Sequence, residues 1–223
     1  MLIVHSPLVG PMTTRTLADA LAFRGWAPIA PDLCASVRSP QTFATAASHA
    51  ATAGHVEVLV GHSGAGAVLP VIAHDVDASV TVFVDAIVPE PTSSYTPAPG
   101  FVALLDQLSV VDGLLPPWHE WWPPEVLARL LPDERIRAAV TAENPRLPRT
   151  FYDEPIALPE RWWQRPLGYL QLSPAYDEER VRAEQLGWPT CQLHGQHLDL
   201  LTRPGPVADA VVELAATARS AHP

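Results

Sequence analysis

The chain has 223 residues, of which 48% are hydrophobic and 17% charged, so it is long and apolar enough to bury one sizeable core. Its formal net charge of −10, from 24 acidic residues against 14 arginines and no lysine, argues against nucleic-acid binding. The sequence starts with a strand pattern instead of a signal peptide and contains no apolar run of transmembrane length, which predicts a cytoplasmic protein that does not enter a membrane.

Short apolar runs alternate with helical patterns in the first part of the chain, and glycines and prolines separate them. Strands are predicted at residues 2–5, 26–29, 56–60 and 79–84. Helices are predicted at 13–24 with Thr13 or Thr14 as the cap, at 40–53 with Gly54 as the stop, and from Gly64 onward. This alternation predicts an α/β fold with a mostly parallel sheet flanked by helices.

Residues 89–166 interrupt the alternation with a segment rich in proline and tryptophan. Helical patterns cover 101–111 and 124–143, and no strand pattern is present, so we predict a helical cap inserted into a core made of residues 1–88 and 167–223. The alternation then returns, with strands predicted at 168–172 and 190–193 and helices at 177–187 and 206–218. Large aromatic side chains bury surface wherever they lie, and Trp118, Trp122 and Trp163 are the candidates to face a substrate pocket.

The sequence GHSGAG at residues 61–66 lies between an apolar strand pattern and a helical pattern. Ser63 stands at the tip of this turn, with the small residues Gly61 and Ala65 two positions before and after it, as a nucleophile elbow requires. A helix beginning at Gly64 would direct its free N–H groups toward a bound group. The alternative, a phosphate-binding loop of the Walker type, requires a lysine that the chain lacks.

A serine nucleophile needs a base and an acid that orients the base. His197 is the preferred base because it follows a late strand and precedes the last helix, and His194 is its rival. Asp85, which directly follows an apolar strand, is the preferred acid. The alternatives are Asp177 and a site without a triad acid.

The oxyanion formed during acyl transfer needs N–H donors. Gly64 N–H is one candidate, and the loop after the first strand should supply the second. Pro7 in that loop has no N–H, so either Leu8 N–H or the Ser6 hydroxyl contributes, or the oxyanion hole is incomplete. His62 is expected to line the pocket or to support it structurally. A metal site built from His62, His194 and His197 would lack carboxylate or cysteine ligands, so neither a metal nor a cofactor is predicted.

The chain resembles the α/β-hydrolase superfamily over nearly its whole length, and four segments carry the resemblance: LIVHSPLVGP, GWAPIAPDL, LVGHSGAG and QHLDLLTRPGPVADAV. The chain is most similar to the branch that contains plant methylesterases and hydroxynitrile lyases. The resemblance implies a nucleophile at Ser63, a base at His197, oxyanion positions at Pro7 and Gly64, and a substrate-holding hydroxyl at Ser6. It does not supply the acid, since the family's position falls near Ala175.

These observations predict a serine hydrolase that acts on a small apolar or aromatic ester or thioester. Two alternatives stay open, because a fold of this kind hosts many reactions. The first is a lyase, eliminase or cyclase that uses the same Ser63 and His197 for proton transfer. The second is a ligand-binding pseudoenzyme. The expected partner is a small molecule, and the formation of a homodimer is left open.

Overall fold

The computed structural model describes residues 1–51 and 55–221. Its strands, in chain order, are β1 (Leu2–Val4), β2 (Val58–His62), β3 (Val80–Val84), β4 (Ser94–Tyr95), β5 (Ile156–Ala157), β6 (Leu167–Gln171) and β7 (Thr190–Gln192). Within the described residues, β1, β2, β3, β6 and β7 form one parallel sheet in the order β1-β2-β3-β6-β7. The predicted α/β fold with a parallel sheet is therefore confirmed.

The helices complete the alternation that the sequence predicts. They are α1 (Met12–Phe23), α2 (Pro40–Ala50), α3 (Leu69–Asp75), α4 (Pro99–Leu105), α5 (Pro124–Leu130), α6 (Glu134–Glu143), α7 (Asp177–Gln185), α8 (Asp199–Thr202) and α9 (Pro204–Ser220). In the part of the chain that the structure describes, none of the helices is long and apolar enough to cross a membrane.

The core lies on both faces of the sheet, because successive side chains of a strand point in opposite directions. Leu59 and Phe83 face a cluster that includes the buried residues of α2 and α3. Val60 and Val82 face the opposite cluster, which includes the buried residues of α1 and α9. All five residues of β2 and of β3 are buried, as expected for central strands of a parallel sheet covered by helices.

The register of the two central strands determines where the site forms. In the pairing of β2 with β3, His62 lies opposite Val84, so both strands end at the same level. Ser63 and Asp85 are the residues that follow these two ends. Parallel strands with a common end bring the residues after them to one edge of the sheet, which is where ligands bind in open α/β sheets.

Two predictions near the N-terminus were wrong. Residues 26–29 form no strand; a single parallel bridge joins Leu2 to Ile29. Pro28 lacks an N–H, which removes a donor from any ladder there. The first helix begins at Met12 without a side-chain cap, and the hydroxyls of Thr13 and Thr14 donate instead to the carbonyls of the preceding loop.

The insertion also differs from its prediction. It contains a two-stranded antiparallel ladder between β4 and β5, although no strand was predicted at 89–166. The helix predicted over 124–143 is divided into α5 and α6 at Pro132, with the Asp133 carboxylate capping α6. The predicted helix at 101–111 is α4, which ends at Leu105. The predicted second helix, 40–53, ends at Ala50, and its predicted stop, Gly54, lies outside the described residues.

Glu143, at the end of α6, joins the insertion to the loop after β1. Its Oε2 accepts a hydrogen bond from Met12 N–H at 2.7 Å, and its Oε1 pairs with Arg15 at 2.8 Å. A carboxylate is favoured at this position because the first N–H groups of α1 carry partial positive charge. A Cβ at Gly10 would lie 2.3 Å from Glu143 Cβ, so the two segments are in direct contact.

The turn that carries Ser63, at residues 61–66, also packs closely on the segment that follows β3. Ile87 N–H donates to the Ser63 carbonyl at 3.1 Å. A Cβ at Gly66 would lie 2.0 Å from the Ile87 carbonyl oxygen, a backbone atom that cannot rotate away.

We therefore expect Gly66→Ala to lower the free energy of unfolding by about 1–3 kcal/mol, as forced overpacking does. Urea denaturation measures this change. Gly100→Ala is the matched control because its new Cβ would meet no atom within 4 Å, and we expect it to leave the free energy of unfolding unchanged or to raise it by up to about 1 kcal/mol, since alanine is favoured over glycine in a helix such as α4. Equal unfolding free energies for the two variants would contradict the close packing at Gly66.

Candidate active site

Ser63 lies at the point where β2 turns into helical structure. Its φ is +57°, in the left-handed region that costs a non-glycine residue on the order of 1–3 kcal/mol. A 3₁₀ turn covers Ser63–Ala67, and α3 begins only at Leu69, so the helix predicted from Gly64 onward starts later than expected. A Cβ at Gly61 would lie 2.5 Å from Leu69 Cδ2, which explains why the turn requires a glycine there.

His197 and Asp85 form a hydrogen-bonded pair at the same edge of the sheet. His197 Nδ1 lies 2.8 Å from Asp85 Oδ2. A carboxylate only accepts hydrogen bonds, so Nδ1 carries a proton and Nε2 of a neutral His197 is left with a lone pair. His197 is therefore arranged to take up a proton at Nε2.

The Asp85 side chain is fully buried and still well supplied with hydrogen bonds. The N–H groups of Leu172 and Ser173 donate to Oδ1 at 2.8 and 3.0 Å, and the Ser173 hydroxyl donates to Oδ2 at 2.6 Å. Burial by itself would raise the pKa of Asp85, but the hydrogen bonds from His197 and Ser173 outweigh it, so the pKa is lowered. Asp85 is thus ionised at neutral pH.

The rival candidates lie elsewhere. The Asp177 carboxylate accepts a hydrogen bond from the Gln171 amide, and the His194 side chain is exposed. Asp199, two residues after His197, accepts hydrogen bonds from Gln196 N–H and from the Thr202 hydroxyl. Among the described residues, the carboxylate paired with His197 is that of Asp85.

His62 supports His197 from the end of β2. It is buried, and its Nε2 donates to the His197 carbonyl at 3.0 Å. The two imidazole rings lie 4.5 Å apart at 31°. Burial, followed by the nearby His197, lowers the pKa of His62 to about 3. His62 is therefore a neutral ring that fixes the backbone of His197, and its Nδ1 has no partner among the described residues.

The loop after β1 lies against the serine turn. A Cβ at Gly64 would lie 3.1 Å from Ser6 Oγ and 3.4 Å from Pro7 Cδ. Leu8 N–H donates to Ser6 Oγ at 3.3 Å, a long hydrogen bond that is easily exchanged. Ser6, Pro7, Leu8 and Gly64 are thus brought beside Ser63, and the Leu8 N–H is held by Ser6 Oγ.

His5, Asp32 and Cys34 place potential metal-ligand atoms within 4.8 Å of one another. Both nitrogens of His5 are already used: Nδ1 bonds the Ser6 carbonyl, and Nε2 accepts from Leu33 N–H. Burial, followed by the Asp32 carboxylate, raises the pKa of Cys34 to about 12, so the thiol stays protonated. The cluster therefore offers neither a free imidazole lone pair nor a thiolate to a metal.

A small cavity opens beside Ser63. Its lining residues come from four parts of the chain and are Ser6, Leu8, Val9, His62, Ser63, Trp118, His197 and Leu198. Its volume is about 10 Å³, which is about the space of one water molecule. Of the three tryptophans predicted to face the pocket, the structure brings Trp118 there, whereas Trp122 is 36% exposed and Trp163 packs against Trp162.

Tyr176 is a member of the site that the sequence analysis missed. Its hydroxyl lies 3.1 Å from Ser63 Oγ, and its ring is stacked on His197 with centroids 4.9 Å apart and an interplanar angle of 8°. It lies in the 3₁₀ turn Pro174–Tyr176 that follows β6. Among the described residues, the hydrogen-bond partner of Ser63 Oγ is the Tyr176 hydroxyl and not the His197 ring. The sequence signal that could have indicated it is the tyrosine beside Ala175, the position at which the resemblance places the superfamily's acid.

No protein-family model matches the chain, and no curated protein matches it in sequence. Solved structures do match. An extracellular α/β-hydrolase from a Paenibacillus species superposes with a TM-score of 0.76 and 18% identity, over 96% of this chain and 97% of that one. Polyneuridine aldehyde esterase gives a TM-score of 0.76 and 18% identity, over 96% and 98%.

A variant of tomato methylketone synthase I in complex with β-ketoheptanoate also matches, with a TM-score of 0.68 and 15% identity, over 97% of both chains. These neighbours are hydrolase-fold enzymes with different reactions, and the alignments extend over nearly the whole length of each chain. The chain therefore has the α/β-hydrolase fold.

Proposed function

We propose that the protein is a serine hydrolase of a small apolar or aromatic ester or thioester. The observation that carries the proposal is the pairing of His197 with the buried Asp85 at the sheet edge where Ser63 stands on a strained turn. Backbone strain and a buried carboxylate are costly features, and they cluster where a protein uses them. The similarity in fold to an esterase and to an α/β-hydrolase supports the same reaction class.

In the proposed mechanism, Ser63 Oγ attacks the substrate carbonyl and its proton passes to His197 Nε2. Asp85 keeps Nδ1 protonated and stabilises the imidazolium that forms. The tetrahedral intermediate collapses as His197 returns the proton to the leaving oxygen or sulfur. Water then hydrolyses the acyl-enzyme by the same route in reverse.

The oxyanion would be held by Gly64 N–H and Leu8 N–H. Gly64 N–H belongs to the first turn after Ser63, where N–H groups have no helical partner and the dipole favours negative charge. Leu8 N–H would leave Ser6 Oγ and turn to the oxyanion, which frees the Ser6 hydroxyl to donate to the substrate.

The substrate class follows from the lining of the cavity. Leu8, Val9, Leu198 and Trp118 present apolar surface around Ser63. A volume of about 10 Å³ does not hold an acyl group, so the substrate must displace lining side chains, and apolar substrates repay that displacement by burying more surface.

A second candidate is a lyase, eliminase or cyclase, and one observation favours it. Three proton-carrying groups, on Ser63, His197 and Tyr176, lie together at a cavity with room for about one water molecule. The similarity to methylketone synthase I is consistent with this alternative. Oxygen-18 from solvent water in the product carboxylate would exclude it.

The first test is covalent labelling of Ser63. We expect a fluorophosphonate to add one adduct to the wild-type protein and none to Ser63→Ala, because an activated serine is required for phosphonylation. Intact-protein mass spectrometry measures the adduct. A wild-type protein that stays unlabelled, or a Ser63→Ala variant that is labelled equally, would contradict an activated Ser63.

The second test compares the two acids. We expect Asp85→Asn to lower kcat/KM for p-nitrophenyl acetate by about 10²- to 10⁴-fold, since the amide no longer fixes the His197 tautomer or stabilises the imidazolium. Asp177→Asn removes the rival carboxylate and should stay within about 3-fold of wild type, as an exposed side chain away from the reacting atoms. Thermal unfolding checks that both variants fold. Near-wild-type activity in Asp85→Asn would show that the acid is elsewhere or absent.

A further inference from the structure

Tyr176 contacts both reacting side chains of the proposed mechanism. Its hydroxyl lies 3.1 Å from Ser63 Oγ, and its ring lies parallel to the His197 imidazole. We propose that Tyr176 is a further catalytic residue, whose hydroxyl donates a hydrogen bond to the leaving-group oxygen during acylation and to the attacking water during deacylation. This inference rests on the proposed hydrolase function.

The position of the hydroxyl carries the argument. In the tetrahedral intermediate, Ser63 Oγ and the leaving oxygen are bonded to the same carbon. A donor 3.1 Å from Oγ is therefore within reach of the leaving oxygen after a small movement. His197 must deliver its proton to that same oxygen, and the stacked ring places the Tyr176 hydroxyl on the His197 side of the reaction.

The bond to Ser63 is made to be exchanged. Either hydroxyl can donate in this hydrogen bond. When the phenol donates to Ser63 Oγ, the serine proton is free to pass to His197. Once Oγ is part of an ester, it is a weaker acceptor, while the leaving oxygen gains negative charge as its bond to carbon breaks. A hydrogen bond to a charged acceptor is roughly twice as strong as one to a neutral acceptor, so the donor moves to the leaving oxygen.

Proton and bond balance assign Tyr176 a donor role without proton loss. The proton of Ser63 passes to His197 Nε2 and then to the leaving oxygen, as one C–O bond forms and the other breaks. In deacylation the water proton follows the same path back to Ser63 Oγ. Burial raises the pKa of Tyr176, so the phenol keeps its own proton throughout and acts only through its hydrogen bond.

Asp85, which binds His197, also holds the turn that carries the Tyr176 hydroxyl. Tyr176 N–H donates to the Ser173 carbonyl, and Ser173 binds Asp85 through both its N–H and its hydroxyl. Pro174 lies between them and restricts the turn. Asp85 thus positions the imidazole on one side and the turn that carries Tyr176 on the other.

The test uses two acetate esters that differ only in the leaving group. Phenyl acetate releases a basic phenolate that needs stabilisation, whereas p-nitrophenyl acetate releases a weakly basic one that needs little. We expect Tyr176→Phe, which keeps the stacked ring, to lower kcat/KM for phenyl acetate by about 10-fold or more, as loss of one charge-assisted donor does. The same variant should stay within about 3-fold of wild type on p-nitrophenyl acetate.

Tyr152→Phe is the matched control, because it also removes a buried tyrosine hydroxyl but lies in the insertion, packed against Phe101 and Phe151. It should leave the ratio of the two kcat/KM values unchanged. Equal losses of Tyr176→Phe on both esters would overturn the inference, and so would equal gains, which are expected if the hydroxyl merely holds Ser63 Oγ away from His197.

Fluorophosphonate labelling separates this inference from the function on which it rests. The leaving group of the fluorophosphonate is fluoride. If the Tyr176→Phe variant is folded and its His197–Asp85 pair is intact, Ser63 should therefore be labelled within about 3-fold of the wild-type rate. Normal labelling together with no selectivity between the esters would overturn the role of Tyr176 alone. A wild-type protein with neither adduct nor turnover would overturn the hydrolase function and this inference together.

Discussion

The Asp85 carboxylate is the constraint on which the rest of the site depends. A buried charge costs several kcal/mol unless it is paired and hydrogen-bonded, and this one is satisfied by the end of β6, by the Ser173 hydroxyl and by His197. These donors come from segments far apart in the chain. The carboxylate is therefore stable only when β3, the loop after β6 and the loop before α8 are all in place.

Asp85 and Ser63 directly follow the ends of two adjacent strands, β3 and β2. Asp85 has a φ of +42°, and Ser63, at the end of the adjacent strand, has a φ of +57°. Ile87, two residues after Asp85, donates its N–H to the Ser63 carbonyl, and Gly66 provides the space for that contact because it has no Cβ. Two strained turns thus brace each other. The strain, on the order of 1–3 kcal/mol for each residue, is offset by two fully buried central strands.

Much of this arrangement follows from the sequence, because rules for parallel sheets are strong. An apolar strand followed by a polar residue predicts that residue at the carboxyl edge, and this brought Ser63 and Asp85 together without any knowledge of the distance between them. The strand predicted at 26–29 failed because its apolar pattern was given more weight than Pro28. The position of Asp85 at this edge followed from the strand end, although the resemblance to the superfamily supplied no carboxylate.

What the sequence did not predict lies where no periodic rule applies. In the insertion, α5 and α6 separate at Pro132, and the spacing of the tryptophans does not indicate that Trp118 alone among the three candidates lines the cavity. Tyr176 was missed for a different reason. The turn after β6 was expected to supply at most a carboxylate, whereas the carboxylate beside His197 is that of Asp85, at the end of β3.

The small cavity beside Ser63 limits which of the two proposed reactions this site could perform. Deacylation needs one water molecule beside His197, and a volume of about 10 Å³ provides room for about one. An acyl group on Ser63 would have to displace Leu8, Trp118 or Leu198 instead of that water for hydrolysis to proceed. If the acyl group took the place of the water, the same Ser63, His197 and Tyr176 would be left to move protons within the substrate. In the proposed function, the balance between hydrolysis and elimination would therefore depend on how the apolar lining side chains move, because Ser63, His197 and Tyr176 serve both reactions.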